Sequence, residues 1–208
     1  MKLPTFDIEN FRSLLPVIDA DKLKSLLLYD PASPLLFNTG LFLLLFLAFL
    51  LLYRLLRRWQ GAKLVMVIAF SLYFYYKTSG LFLFLLVGMS VSDYVIGRFL
   101  CAARKQSLRK WLVALSLTID IGVLCYFKYT NFFIGLLNDV SGRDWLDFQN
   151  IFLPVGISFF TFQSISYIID LYKRRIDPAD QWIDYLFYLS FFPQLVAGPI
   201  VKARDFMP

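Results

Sequence analysis

Residues 152–206 read FLPVGISFFTFQSISYIIDLYKRRIDPADQWIDYLFYLSFFPQLVAGPIVKARDF. The stretch is apolar enough to lie in a bilayer, yet Ser158, Gln163, Ser164, Ser166, Asp170 and Gln194 are spread through its apolar runs. A segment that only anchored would have no need of them, because a polar group in lipid must find a partner or cost free energy. Its second half is broken by Phe192-Pro193-Gln194 and by Gly198-Pro199. Proline removes a backbone donor and disrupts a helix interior, so residues 183–200 are expected to form a broken or re-entrant segment rather than one straight helix.

The rest of the chain agrees with a membrane setting. Of 208 residues, 59% are hydrophobic and 23 are Phe, above the roughly 45–50% apolar share of soluble domains. Mean hydropathy is +0.63. The run FNTGLFLLLFLAFLLLY is too long and apolar for a small soluble core. The net charge of +6 sits in short clusters between apolar runs, which sets topology and does not form a nucleic-acid face. Cys101 lies in a basic loop and Cys125 in an apolar run, so no disulfide is expected between them. With no histidine and no CxxC pair, a zinc-type ligand set is missing and no metal site is expected. No cleavable leader is visible in the first 30 residues, which hold Asp7, Glu9, Asp19, Asp21 and Asp30. Residues 19–29 place Leu23, Leu26 and Leu27 on one face, as in an interfacial helix.

The fold expected is all-α, a polytopic transmembrane protein of about six apolar segments. They fall at 35–53, 62–76, 81–96, 111–127, 151–172 and the broken 183–200, with an N-terminal tail at 1–34. Lys77-Thr78-Ser79-Gly80 reads as a tight turn, the fourth segment leads into Lys128-Tyr129-Thr130-Asn131, and a polar loop around 138–150 holds the turn signal Ser141-Gly142. Arg54, Arg57, Arg58 and Lys63 follow the first segment. Arg98, Arg104, Lys105, Arg109 and Lys110 follow the third, and Lys173, Arg174 and Arg175 the fifth. The alternate loops hold only Lys77, Lys128 and Arg143, so the basic loops are expected in the cytoplasm and the N-terminus outside.

Asp120 lies deep in the fourth segment, where an acid must be protonated, hydrogen-bonded or facing water. It reads equally as a proton acceptor supporting a polar tunnel and as a bonded acid holding helices together. Asp93 and Asp170 lie near segment ends, with Arg98, and Lys173 or Arg174, as the expected ion-pair partners. Gln163, Ser166 and Asp170 share one helix face, either lining a passage or bonding a neighbouring helix. Gly156-Ile157-Ser158-Phe159-Phe160 approaches the GxSxG elbow but ends in Phe, and no histidine is present to activate the serine. P-loop, Rossmann and EF-hand patterns are missing.

FLPVGISFFTFQSISYIIDLYK followed by YLSFFPQLVAGPIVKARDF closely resembles the membrane-bound O-acyltransferase family. The similarity is to its bacterial branch around the alginate O-acetyltransferase membrane subunit and the membrane protein of teichoic-acid D-alanylation. Tyr126–Phe133 (YFKYTNFF), the aromatic LYFYY ending at Tyr76, and Tyr94-Val95-Ile96-Gly97 fit the same branch, so the match runs from about Leu35 to the end. The resemblance implies a bacterial inner-membrane enzyme that moves an acyl group onto a hydroxyl of an exported polysaccharide such as alginate. No bound cofactor is expected. The implied partners are an acyl thioester donor with its carrier, membrane lipid and extracytoplasmic polysaccharide-modifying proteins. A deep histidine acts as general base in the family, and this chain has none. The expectation is therefore an N-terminal portion, residues 35–208, that is inactive alone. Gln163, Asp170, Pro193, Gln194, Gly198 and Pro199 would shape the passage, with Asp120 adding polarity. The competing expectations are a non-catalytic membrane scaffold and a transporter-like subunit.

Overall fold

In a medium without water, an apolar chain must close its backbone hydrogen bonds locally, and the helix is the local solution. The structure, a computed structural model, describes residues 27–31, 35, 37–142, 146–198 and 201–206. Among the described residues every regular element is helical. The expected interfacial helix at 19–29 falls almost wholly outside them.

Helix α1 (Gly40–Leu55) starts where Thr39 Oγ1 accepts from the Phe42 backbone N–H at 3.2 Å, a side-chain N-cap. It begins later than the expected residue 35. Gln60–Ala102 is helical with one interruption, giving α2 (Gln60–Ser79), a 3₁₀ turn (Gly80–Phe82) and α3 (Leu83–Ala102). A straight helix of these 43 residues would be about 65 Å long, roughly twice a hydrocarbon core. The backbone breaks at Gly80 (φ 61°, ψ −131°), in the expected turn. Lys77 does not stand in water there: it is buried, and its Nζ donates to the Leu28 carbonyl.

Helix α4 (Gln106–Leu124) passes through a π-turn at Cys125–Tyr129 into α5 (Thr130–Ser141). This corrects the segment end expected at 127 and the loop start expected at 138, since the helix runs on to Ser141. The polar side chains at 128–131 suggested an end, but no Pro or Gly there stops the backbone, and a π-turn absorbs one extra residue without ending the helix. Gly142, in the left-handed region, closes α5 at the expected Ser141-Gly142 turn. The fifth segment also begins later than expected. Pro154 and Gly156 hold the chain out of helix until α6 (Ile157–Tyr172).

The broken segment consists of α7 (Trp182–Ser190), a break at Phe191 (φ −57°, ψ 108°) and α8 (Phe192–Ala197), with Pro193 in the first turn of α8. Proline is tolerated in a first turn because its missing N–H would have had no intrahelical partner. After Gly198 the chain doubles back. Tyr188 Oη donates to the Val201 carbonyl at 2.9 Å, and the Phe206 ring of α9 (Ala203–Phe206) packs 5.2 Å from Phe187 and 5.6 Å from Phe191. Residues 201–206 thus pack back against α7, and the described residues of 182–198 and 201–206 are called the hairpin below.

Helix α6 is central and touches α3, α4, α7, α8 and α9. Its Phe160, Tyr167, Ile168 and Leu171 join Leu86, Leu100, Tyr185 and Leu189 in the core. Gly97 lets α3 approach closely, since a Cβ there would lie 2.8 Å from Leu171 Cδ1. A second cluster centres on Phe192, whose ring lies 5.2 Å from Phe70 and 5.8 Å from Phe74, tying the hairpin to α2. Arg109, one of the basic residues after the third expected segment, is not a surface charge. The side chain is buried, and it donates to the Leu100 carbonyl at 2.7 Å and the Tyr172 carbonyl at 2.8 Å. It caps the carbonyl ends of α3 and α6 at once.

Polarity is inverted relative to a soluble protein. Leu44, Leu47, Leu51 and Leu55 on α1, and Trp111, Phe132, Leu137 and Val140 on α4 and α5, are exposed. Ser71, Ser90, Asp93, Ser116, Asp120 and Ser164 are buried. Gln60–Ala102 and Gln106–Ser141 are long and apolar enough to cross a membrane, and Gly40–Leu55 is a shorter apolar helix. An apolar exterior around buried polar side chains is the arrangement lipid selects, and this is a membrane protein.

Candidate functional site

Two adjacent residues of α6 point to different sides of it. A helix turns about 100° per residue, so neighbours in sequence serve different faces. Ser164 faces the continuous helices α3 and α4, and Gln163 faces the broken hairpin.

On the first face, Ser164 Oγ lies 2.9 Å from Asp120 Oδ2 of α4 and within hydrogen-bond contact of Asp93 Oδ2 of α3. Ser116 Oγ donates to Asp93 Oδ1 at 2.9 Å, and the Tyr185 hydroxyl of α7 donates to Asp93 Oδ2 at 3.4 Å. Both acids and both serines are fully buried. The ion pairs among the described residues are Arg175–Asp170 and Arg204–Asp205, so neither acid meets a described cation. Asp120 Oδ1 has no partner.

On the second face, Gln163 Nε2 donates to Gln194 Oε1 at 2.7 Å, bridging α6 and α8. Gln163 Oε1 is buried without a partner among the described residues, so polar capacity here is left over. Gly156 has φ 76°, and its ideal Cβ would lie 2.4 Å from the Leu195 carbonyl oxygen, so only glycine lets α6 and α8 meet in this way. Gly198 ends α8, its N–H donating to the Gln194 carbonyl at 3.3 Å.

The structure therefore joins Gln163 with Gln194 and places Pro193 and Gly198 at the two ends of the short helix carrying Gln194. Pro199 lies outside the described residues. Asp120 belongs to the other face. Asp170 belongs to neither, being seven residues or about 10 Å along α6 from Gln163. Its expected partners Lys173 and Arg174 are replaced by Arg175, whose Nη1 is 3.5 Å from Asp170 Oδ1. The helix ends at Tyr172, and Arg174 turns at φ 54°, which swings Arg175 round. Asp93 likewise does not pair with Arg98; it points inward to Ser116 and Ser164.

Asp93, Ser116, Ser164, Tyr185 and Tyr188 went unselected as site residues in sequence. The i, i+4 spacing of Ser116 and Asp120 was an available signal, because it puts both on one face of α4. Nothing local pointed to Tyr185. Among the described residues, no three His, Cys, Asp or Glu side chains converge as a metal site would require. Cys101 and Cys125 are free thiols.

No family model matches the chain, and no solved structure matches it. Curated proteins do. A Pseudomonas aeruginosa protein named "Probable alginate O-acetylase AlgI" is 37% identical over 177 residues, which cover 82% of this chain and 34% of that protein. Its Azotobacter vinelandii namesake is 37% identical over 177 residues, covering 82% and 35%. A "Peptidoglycan O-acetyltransferase" of Helicobacter pylori is 32% identical over 203 residues, covering 84% and 38%. The chain spans about a third of the length of these relatives. With most of its own length matched to such O-acetylases, and with the motifs of residues 152–206 built into one helix and its partner hairpin, the chain belongs to the membrane-bound O-acyltransferase family, of which it represents a partial region.

Proposed function

We propose that this chain forms the N-terminal transmembrane portion of an O-acetyltransferase that modifies an exported polysaccharide. The observation that carries it is the similarity to two kinds of O-acetylase, one named for alginate and one for peptidoglycan. Both names specify a saccharide polymer, and acetyl is the group transferred in both. The unpartnered Gln163 Oε1 supports a role in lining the acceptor's path against the hairpin.

In such a transfer the acceptor hydroxyl oxygen attacks the acyl carbonyl, a C–O bond forms and the C–S bond of the thioester breaks. The hydroxyl proton passes to a general base and then to the departing thiolate. No histidine occurs among these 208 residues, so the base comes from outside them. Gln163 and Gln194 orient the acceptor, and neither is assigned the proton. Donor carrier and polysaccharide-modifying partners belong to this same proposal.

The proposed setting is the bacterial inner membrane, crossed several times by six apolar segments that include the hairpin. The basic loop with Arg104 and Lys105 lies in the cytoplasm and the N-terminus outside. Expression of the chain in an acetylation-deficient host tests the function. Alone it restores no O-acetyl ester to the exported polymer; joined to the C-terminal remainder of an alginate-type relative it does. Failure of such chimeras that insert normally, across several relatives, overturns the proposal. Reporter fusions after Arg104 and before residue 35 test the orientation.

A further inference from the structure

A hydroxyl has one hydrogen to give, and Ser164 Oγ lies in hydrogen-bond contact with a carboxyl oxygen of each of two buried acids. It can donate to only one. The other contact requires a hydrogen on the acid itself, since two bare carboxylates facing one hydroxyl would leave an oxygen–oxygen contact without a proton. Which acid holds it follows from the donors around each. Asp93 faces three hydroxyls, those of Ser116, Ser164 and Tyr185, contributed by α4, α6 and α7. Asp120 meets only Ser164, and its Oδ1 has no partner.

We infer that Asp120, Ser164 and Asp93 form a directional relay around one retained hydrogen, in which Asp120 Oδ2–H donates to Ser164 Oγ and Ser164 donates to the Asp93 carboxylate. The relay ties α3, α4 and α6 together and reaches α7 through Tyr185. Its charge is spread over three hydroxyl donors, the pattern a buried carboxylate needs where no cation is at hand. The role is one of positioning. Ser164 fixes the rotation of α6, so Gln163, one residue earlier, is aimed at Gln194. The inference stands on the hydrogen count and does not depend on the proposed reaction.

Infrared spectroscopy of the full chain in lipid nanodiscs tests it directly. Wild type should show a protonated-carboxyl C=O band that D120N removes and S164A shifts, because the band's frequency reports the hydrogen bond the acid makes. D120N should also keep its fold, since the Asn amide supplies the same donor to Ser164. D93N should melt at a clearly lower temperature, because three donors then face one fewer acceptor oxygen. A wild type without a protonated-carboxyl band overturns the relay, as does a band that survives D120N. A D120N protein that is unfolded, or less stable than D93N, also overturns it.

Discussion

The two faces of α6 differ in what they meet: one gathers buried acids and hydroxyls from three other helices, the other a single amide of a short helix. At Ser164 the partners are two acids of α3 and α4, joined by hydroxyls of Ser116 and of Tyr185 on α7, and the oxygen left over is Asp120 Oδ1. At Gln163 the partner is a six-residue helix in a broken hairpin, and Gln163 Oε1 stays unpartnered among the described residues. A continuous helix can be packed so that its polar groups meet fixed acceptors. A broken segment offers backbone and side-chain groups at angles that a regular helix cannot supply, at the expense of leaving some unmatched. The first face ties four helices together, and the second is the one proposed to line the acceptor's path.

The largest expected effect breaks the second face at its backbone. Gly156→Val combines a left-handed φ with a Cβ forced onto the Leu195 carbonyl, and should cost about 3 kcal/mol in denaturant unfolding of the reconstituted protein. A neutral result would mean that α6 and α8 do not meet there. Next is Ser164→Ala, which removes the link between two buried acids; a loss of about 1–3 kcal/mol is expected from thermal unfolding. Gln163→Leu sharpens the contrast, because it gives up a single amide bond and relieves an orphaned oxygen. About 1 kcal/mol or less should be lost from stability, while acetylation by a chimera carrying the same change falls at least tenfold. If its stability loss exceeds that of Ser164→Ala, the division of labour between the faces is wrong. Leu51→Ala, 71% exposed on α1, is the outer control and should change stability by under about 0.5 kcal/mol.

Much of the helical framework was legible in the residues. The apolar runs, the stop at Ser141-Gly142 and the break around Pro193 all have local causes, since Pro and Gly act on their own backbone. Errors arose where side-chain polarity was taken as a sign of backbone irregularity or of surface location. Lys128 and Asn131 lie on a helix that continues through a π-turn. Lys77 and Arg109, charges of the expected loops, are both buried against carbonyl oxygens at helix ends or on the N-terminal segment. Asp93 was matched to Arg98 because they are near in sequence, while its side chain faces the opposite way.

What the sequence determined by itself is helicity, the membrane environment, the positions of the breaks and the family motif, because each depends on residue type and on neighbours within a turn or two. Tertiary structure alone decided which polar groups meet. Ser164 reaches Asp93 across 71 positions and Asp120 across 44, and Gln163 reaches Gln194 across 31. Helical periodicity says which face a side chain takes, but its partner is chosen by how the helices pack, and that is a property of the whole bundle.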